Sequence, residues 1–132
     1  MTEPRLPAAP GFTLAARLRS FTYAGRGLRT MLVSQHNAWI HGGATLIALS
    51  SGVLLAVDRS EWMALILAIV AVWSAEAINT AFEFLCDVAS PDFHPLVEKA
   101  KDVAAGAVLV TALGALAIAA LVFVPHLLAR LG

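Results

Sequence analysis

Three carboxylates, Glu76, Glu83 and Asp87, punctuate a stretch that is otherwise almost wholly apolar, Trp73-Ser-Ala-Glu76-Ala-Ile-Asn79-Thr80-Ala-Phe-Glu83-Phe-Leu-Cys-Asp87. At about 100° per residue the three fall within about 40° of one another on a helix, with Asn79 and Thr80 on the same side. Glu76 lies about 16 Å along that helix from Asp87, at 1.5 Å per residue. A carboxylate set deep in an apolar stretch suits a general base. Glu83 and Asp87, nearer the end of the stretch, suit a hard cation that binds through oxygen and carries nucleotide phosphates.

The segment that follows completes the set. Ser90-Pro91-Asp92-Phe93-His94-Pro95 reads as a turn, with Pro95 acceptable as the first residue of a new helix. That helix presents Lys101 and Asp102 before the chain turns apolar again. Lys101 is placed to neutralise phosphate charge, as cationic clamps do in phosphoryl transfer.

These residues need helices in a particular medium. Of 132 residues 59% are hydrophobic and 14% charged, with a mean hydropathy of +0.78. Soluble domains carry nearer a quarter charged residues. The charges are also unevenly spread. Residues 38–57 contain one ionisable side chain, His41; residues 62–75 carry no charge and lead into the acidic stripe; residues 103–125 have no ionisable group. A bilayer core of about 30 Å takes about 20 apolar residues as a helix, so the sequence predicts spans over about 38–57, 62–87 and 103–125 of an all-α integral membrane protein. None has the polar face of a soluble surface helix.

Residues 1–11, with three Pro and one Gly, are expected to be disordered; residues 12–132 then form one domain. From about 12 to 34, Leu14, Leu18, Phe21, Gly25, Leu28 and Leu32 recur on one helical face, with Arg17, Arg19, Arg26 and Arg29 off it. Such a basic amphipathic helix lies in the membrane interface. Arg and Lys bias places the N-terminus and the link bearing Lys99 and Lys101 on the cytoplasmic side, and Trp39 and Trp62 suit interfacial anchors. Ala107, Thr111, Ala115 and Ala119, at four-residue spacing, let helix backbones approach closely. Three spans make a thin bundle, so self-association is expected.

Several classes are excluded. Net charge is zero, which leaves no basic face for nucleic acid. Four His and one Cys, Cys86, match no zinc spacing and make no internal disulfide. No secretory signal is expected, because the first thirty residues hold no long apolar core. There is no GxxxxGK[ST] or GxGxxG loop, so carboxylates, metal and Lys101 would have to hold a nucleotide. Two rival readings of the stripe remain: a small channel or proton-translocating subunit, and a polar seam joining helices. The seam fits Asn79 and Thr80 better than unpaired carboxylates, whose burial in lipid is costly.

The run Ala75-Glu76-Ala-Ile-Asn79-Thr80-Ala-Phe-Glu83, then Asp87, Ser90-Pro-Asp-Phe-His94-Pro95 and Lys99-Ala-Lys101-Asp102-Val-Ala-Ala-Gly106-Ala-Val-Leu109, resembles the signature of the prokaryotic diacylglycerol kinase and undecaprenol kinase family. The resemblance covers roughly residue 20 to the C-terminus. It implies a homotrimer of three-span subunits in the bacterial cytoplasmic (inner) membrane, with active sites shared between neighbours. The activity it implies is transfer of phosphate from ATP, with Mg²⁺, to a membrane lipid alcohol. By that resemblance Glu76 is the general base, Asn79 supports it, Glu83 is a metal ligand, and Tyr23, Asp92, Phe93, His94, Lys101 and Asp102 contact nucleotide. Asp87 is a further acid of the site, and Arg29 belongs to the motif that leads to the second metal ligand. That ligand is a Glu in the family, whereas here Arg29 is followed at the same spacing by Gln35, and Trp39 stands where the family has Arg. The segments from Ser90 to Pro95 and from Lys101 to Gly106 look closer to the undecaprenol branch than to the enterobacterial diacylglycerol branch, so undecaprenol is the expected acceptor over diacylglycerol.

Overall fold

A computed structural model describes residues 13–132. The segment expected to be disordered, residues 1–11, and Phe12 lie outside the described residues. Within them the chain is entirely helical: α1 (Leu14–Ser34), α2 (His36–Leu55), α3 (Arg59–Ala89) and α4 (Pro95–Leu131). The last three are long and apolar enough to cross a membrane.

Thr13 caps α1, its hydroxyl accepting from the Ala16 N–H at 3.2 Å. The apolar face of α1 is left exposed, with Leu14, Leu18 and Phe21 all more than 60% accessible and only Met31 buried. That is the surface an interfacial helix offers to lipid. At Gln35 the backbone becomes extended (φ −112°, ψ 118°), which separates α1 from α2. Trp39 bridges the break by donating its indole N–H to the Leu32 carbonyl at 2.9 Å.

A tight turn joins α2 to α3. Ala56 adopts the left-handed conformation (φ 54°), and its N–H returns to the carbonyls of Gly52 and Val53. Asp58 then starts α3 with a reciprocal cap: its carboxylate accepts from the N–H groups of Ser60 and Glu61, while Glu61 accepts from the Asp58 N–H at 2.8 Å. The Ser60 hydroxyl and the Glu61 N–H hold the Asp58 carboxyl below the usual carboxylate range.

Behind this turn Val57, Leu65 and Val122 form the core of the bundle's far end, with Trp62 and Phe123 packed against it. Trp62 is half-buried there, because Gly52 leaves room for its ring. A Cβ on Gly52 would stand 2.7 Å from the Trp62 Cη2 atom. Gly52→Ala is expected to destabilise the protein by about 1–3 kcal/mol, the usual cost of overpacking. A lower thermal midpoint in detergent, partly recovered in Gly52→Ala/Trp62→Phe, checks this.

α3 and α4 form the most extensive pairing in the chain. Thr111, Ala115 and Ala119 of the small-residue stripe are half-buried, whereas Ala107 is exposed. The helix continues past the expected end of the third span, through Pro125 to Leu131. Proline removes one backbone bond, and side chains tie down the turns beyond it: His126 lies 3.5 Å from Glu61, and Arg130 donates to the Leu54 carbonyl at 2.7 Å. With 31 and 37 residues, α3 and α4 are about 46 and 56 Å long at 1.5 Å per residue. Both exceed a hydrocarbon core of about 30 Å. The paired helices are therefore longer than that core and overhang it.

Candidate active site

The stripe on α3 grades from dry to wet. Glu76 is 1% exposed, Asn79 5% and Thr80 3%; Glu83 is half-buried and Asp87 exposed. Thr80 turns its hydroxyl back to the Glu76 carbonyl at 2.9 Å, so it belongs to the helix rather than to the site. Asn79 donates its amide to Glu83 Oε1 at 3.0 Å, one turn along. Gln35 reaches the same carboxylate from the α1–α2 break and donates to Oε2 at 2.9 Å. Gln35, Asn79 and Glu83, 48 residues apart at the extremes, thus meet as one cluster.

At the next turn Asp87 accepts from Lys101 Nζ, which joins the end of α3 to the start of α4. Around this ion pair lies an open pocket of about 330 Å³, lined by Asp87, Asp92, Phe93, His94, Lys101 and Asp102 among others. These are five of the six residues expected to contact nucleotide, together with the further acid. The turn holds its shape through two local bonds. Ser90 donates its hydroxyl to the Asp92 carbonyl at 3.0 Å, and His94 Nδ1 caps α4 by accepting from the Leu96 N–H at 3.2 Å. Pro95 follows as the first helical residue, as its missing N–H allows.

Two expected residues do not join this pocket within one chain. Tyr23 is 62% exposed on α1, with the Arg26 guanidinium 5.9 Å from its ring centre. Arg29 lines a shallow groove on α1 with Arg26, Thr30, Val33 and Ser34.

One residue of the site received no role from sequence. His41, on α2, places Nε2 3.7 Å from Glu76 Oε2, with side chains 13% and 1% exposed. The register that brings them together is set by Trp73, whose indole N–H donates to Thr45 Oγ1 at 3.0 Å. One turn further along each of these two helices stand Glu76 and His41. The available signal was that His41 is the sole ionisable group of its span, and ionisable groups inside membranes are functional by default.

Three apolar spans and a polar stripe that runs from a buried carboxylate to an open charged pocket define a membrane enzyme that works across the boundary between lipid and water. The family model for prokaryotic diacylglycerol kinase matches residues 22–123, and the chain belongs to that family. It is a lipid kinase, which sets aside the channel reading. The undecaprenol kinase of Bacillus subtilis (strain 168) is 38% identical over 109 residues, covering 83% of this chain and 89% of its own length. The diacylglycerol kinase of Synechocystis sp. is 33% identical over 112 residues (84% of this chain, 64% of its own length). That of Escherichia coli (strain K12) is 30% identical over 100 residues (76% of this chain, 80% of its own length).

Proposed function

We propose that the protein transfers the terminal phosphate of ATP to the hydroxyl of a membrane lipid alcohol, with undecaprenol preferred over diacylglycerol. The observation that carries this reading is the gradient along α3, from Glu76 at 1% exposure to the Asp87–Lys101 pocket in the overhang. The acceptor's hydroxyl would meet the first within the span, and a water-soluble donor would meet the second. In the reaction the lipid O–H bond breaks, a lipid O–P bond forms, the bond from phosphorus to ADP breaks, and Glu76 takes the proton. Asp92, Phe93, His94, Lys101 and Asp102 hold the nucleotide, with the Lys101 ammonium beside phosphate and Asp87 holding that ammonium in place.

The Gln35–Asn79–Glu83 cluster fits Mg²⁺, a cation that takes oxygen ligands and shares itself with phosphates. Glu83 offers its carboxylate, and Asn79 Oδ1 is buried without a hydrogen-bond partner. The Gln35 amide supplies a further carbonyl oxygen once its donor bond is given up. When bound, the ion neutralises phosphate charge.

Self-association into a trimer explains the separation of Tyr23 and Arg29 from the pocket, since a neighbouring copy would bring its own. The positive-inside bias supports a cytoplasmic N-terminus and nucleotide pocket in a bacterial inner membrane. The undecaprenol preference is supported by the B. subtilis relative's being an undecaprenol kinase and by the Ser90 to Pro95 segment. The test is transfer of label from γ-labelled ATP, with Mg²⁺, to each lipid in mixed micelles. Labelled lipid phosphate is expected from both, with the larger kcat/KM for undecaprenol. No transfer to either would end the proposal, and a larger value for diacylglycerol would reverse the preference.

A further inference from the structure

Between α2, α3 and α4 lies an apolar cavity of about 240 Å³, walled by Ala44, Ala48, Ala68, Ala112 and Ala115 among others, with His41 in its lining. At that polar edge four buried atoms lack hydrogen-bond partners: His41 Nε2, both carboxylate oxygens of Glu76, and Asn79 Oδ1. Unsatisfied buried polar atoms are costly and call for an explanation. Asn79 Oδ1 belongs with the Glu83 cluster. Of the other three, His41 Nε2 faces Glu76 Oε2 across 3.7 Å.

A base at 1% exposure has a difficulty that a surface base does not. Each turnover leaves a proton on Glu76, and water does not reach the carboxylate to remove it. The neighbouring elements offer few alternatives. α4 has no ionisable group from Val103 to Pro125. The ionisable side chains of α1 (Arg17, Arg19, Tyr23, Arg26 and Arg29) are exposed. On α3 the nearest is Glu83, two turns away and already accepting from Asn79 and Gln35. From α2 there is His41, whose unpartnered Nε2 faces the carboxylate and whose imidazole can take up a proton at one ring nitrogen. Its spacing from Glu76 needs only a small rotation, or one intervening hydroxyl, to become a hydrogen bond.

We propose that His41 accepts at Nε2 the proton that Glu76 has taken from the lipid hydroxyl, and so returns the carboxylate to its basic form for the next turnover. The inference rests on Glu76 being the base. The proton balance is closed: lipid oxygen to Glu76 Oε2, Glu76 to His41 Nε2, and imidazolium to water at the membrane edge. While it holds the proton, the pair is an ion pair instead of a lone buried charge. His41 acts through Glu76 and touches neither the phosphate nor the nucleotide.

The experiment uses the full chain in nanodiscs. His41→Ala is expected to lower kcat about a hundredfold, the scale of a proton-transfer contribution, with KM for both substrates unchanged. Added imidazole and 4-methylimidazole should restore turnover in the cavity the variant opens. Pyrazole, of the same shape but a far weaker base, should not. His41→Gln, which keeps a polar group but takes no proton, should stay slow, and it decides the matter if His41→Ala does not fold. Equal rescue by pyrazole, or wild-type kcat in His41→Gln, would overturn the proposal. Glu76→Gln measured alongside separates the two readings. If that variant is inactive while the His41 variants are normal, only the role of His41 falls; if it is active, the assignment of Glu76 as base falls first.

Discussion

Replacing Glu76 with Gln is expected to lower kcat roughly 10²- to 10⁴-fold, the range for loss of a positioned base, while the protein stays folded. Both halves of that expectation come from the same surroundings. The carboxylate is buried, its oxygens have no hydrogen-bond partner, and His41 Nε2 stands 3.7 Å from Oε2. Burial of an unpaired carboxylate is unfavourable for stability, so the near-isosteric neutral amide should unfold at the same temperature or higher. A group kept at a cost to the fold is kept for chemistry. The polar-seam reading also predicts a stabilised Glu76→Gln but leaves activity untouched, so parallel measurement of kcat and thermal midpoint separates them. Full activity in the variant would sink the assignment.

Gln35→Glu is the second large effect, and it should pull two observables in opposite directions. The Gln35 amide donates to Glu83 at 2.9 Å. A carboxylate in its place loses that charge-assisted bond, worth about 1.5–3 kcal/mol, and sets two negative charges face to face. Without divalent cation the variant should therefore melt lower than wild type. With Mg²⁺ the same two carboxylates become a ligand pair, and ligand charge count is a main determinant of divalent-ion affinity. The Mg²⁺ concentration for half-maximal activity should fall about tenfold, at the scale that charge count sets. A variant with unchanged Mg²⁺ dependence would show that residue 35 is no ligand and that its amide serves only to orient Glu83.

What could be read from the sequence depended on whether an interaction lies within one helix or between two. Glu76, Asn79, Glu83 and Asp87 share a face because of a fixed angular step, so their alignment was visible from spacing alone. The same holds for Pro95, whose missing N–H marks a helix start whatever surrounds it. Gln35 and Glu83 meet across two helices, and only the family pattern pointed to that pair. His41 and Glu76 meet because Trp73 bonds Thr45 and fixes how far α3 slides along α2, a register that no periodicity encodes. The packing of Trp62 was hidden for a related reason: how far its indole folds inward depends on the absent Cβ of Gly52, on the preceding helix. That α4 stays helical beyond Pro125 was equally hidden, because Arg130 reaches the Leu54 carbonyl, a contact from another part of the chain that holds the last turns.

The overhang of α3 sets a fixed length scale. Seven residues separate Glu76 from Glu83, about 10 Å of rigid helix at 1.5 Å per residue. In the proposed reaction the acceptor comes from the bilayer and the donor from water, so their meeting point is measured from the protein and not from the bilayer. A thicker or thinner membrane cannot change the separation between the two ends of the site. It can only shift the phase boundary along them, submerging the phosphate end or wetting the carboxylate. If the reaction runs as proposed, the membranes in which the protein works best are those whose edge falls between those two side chains.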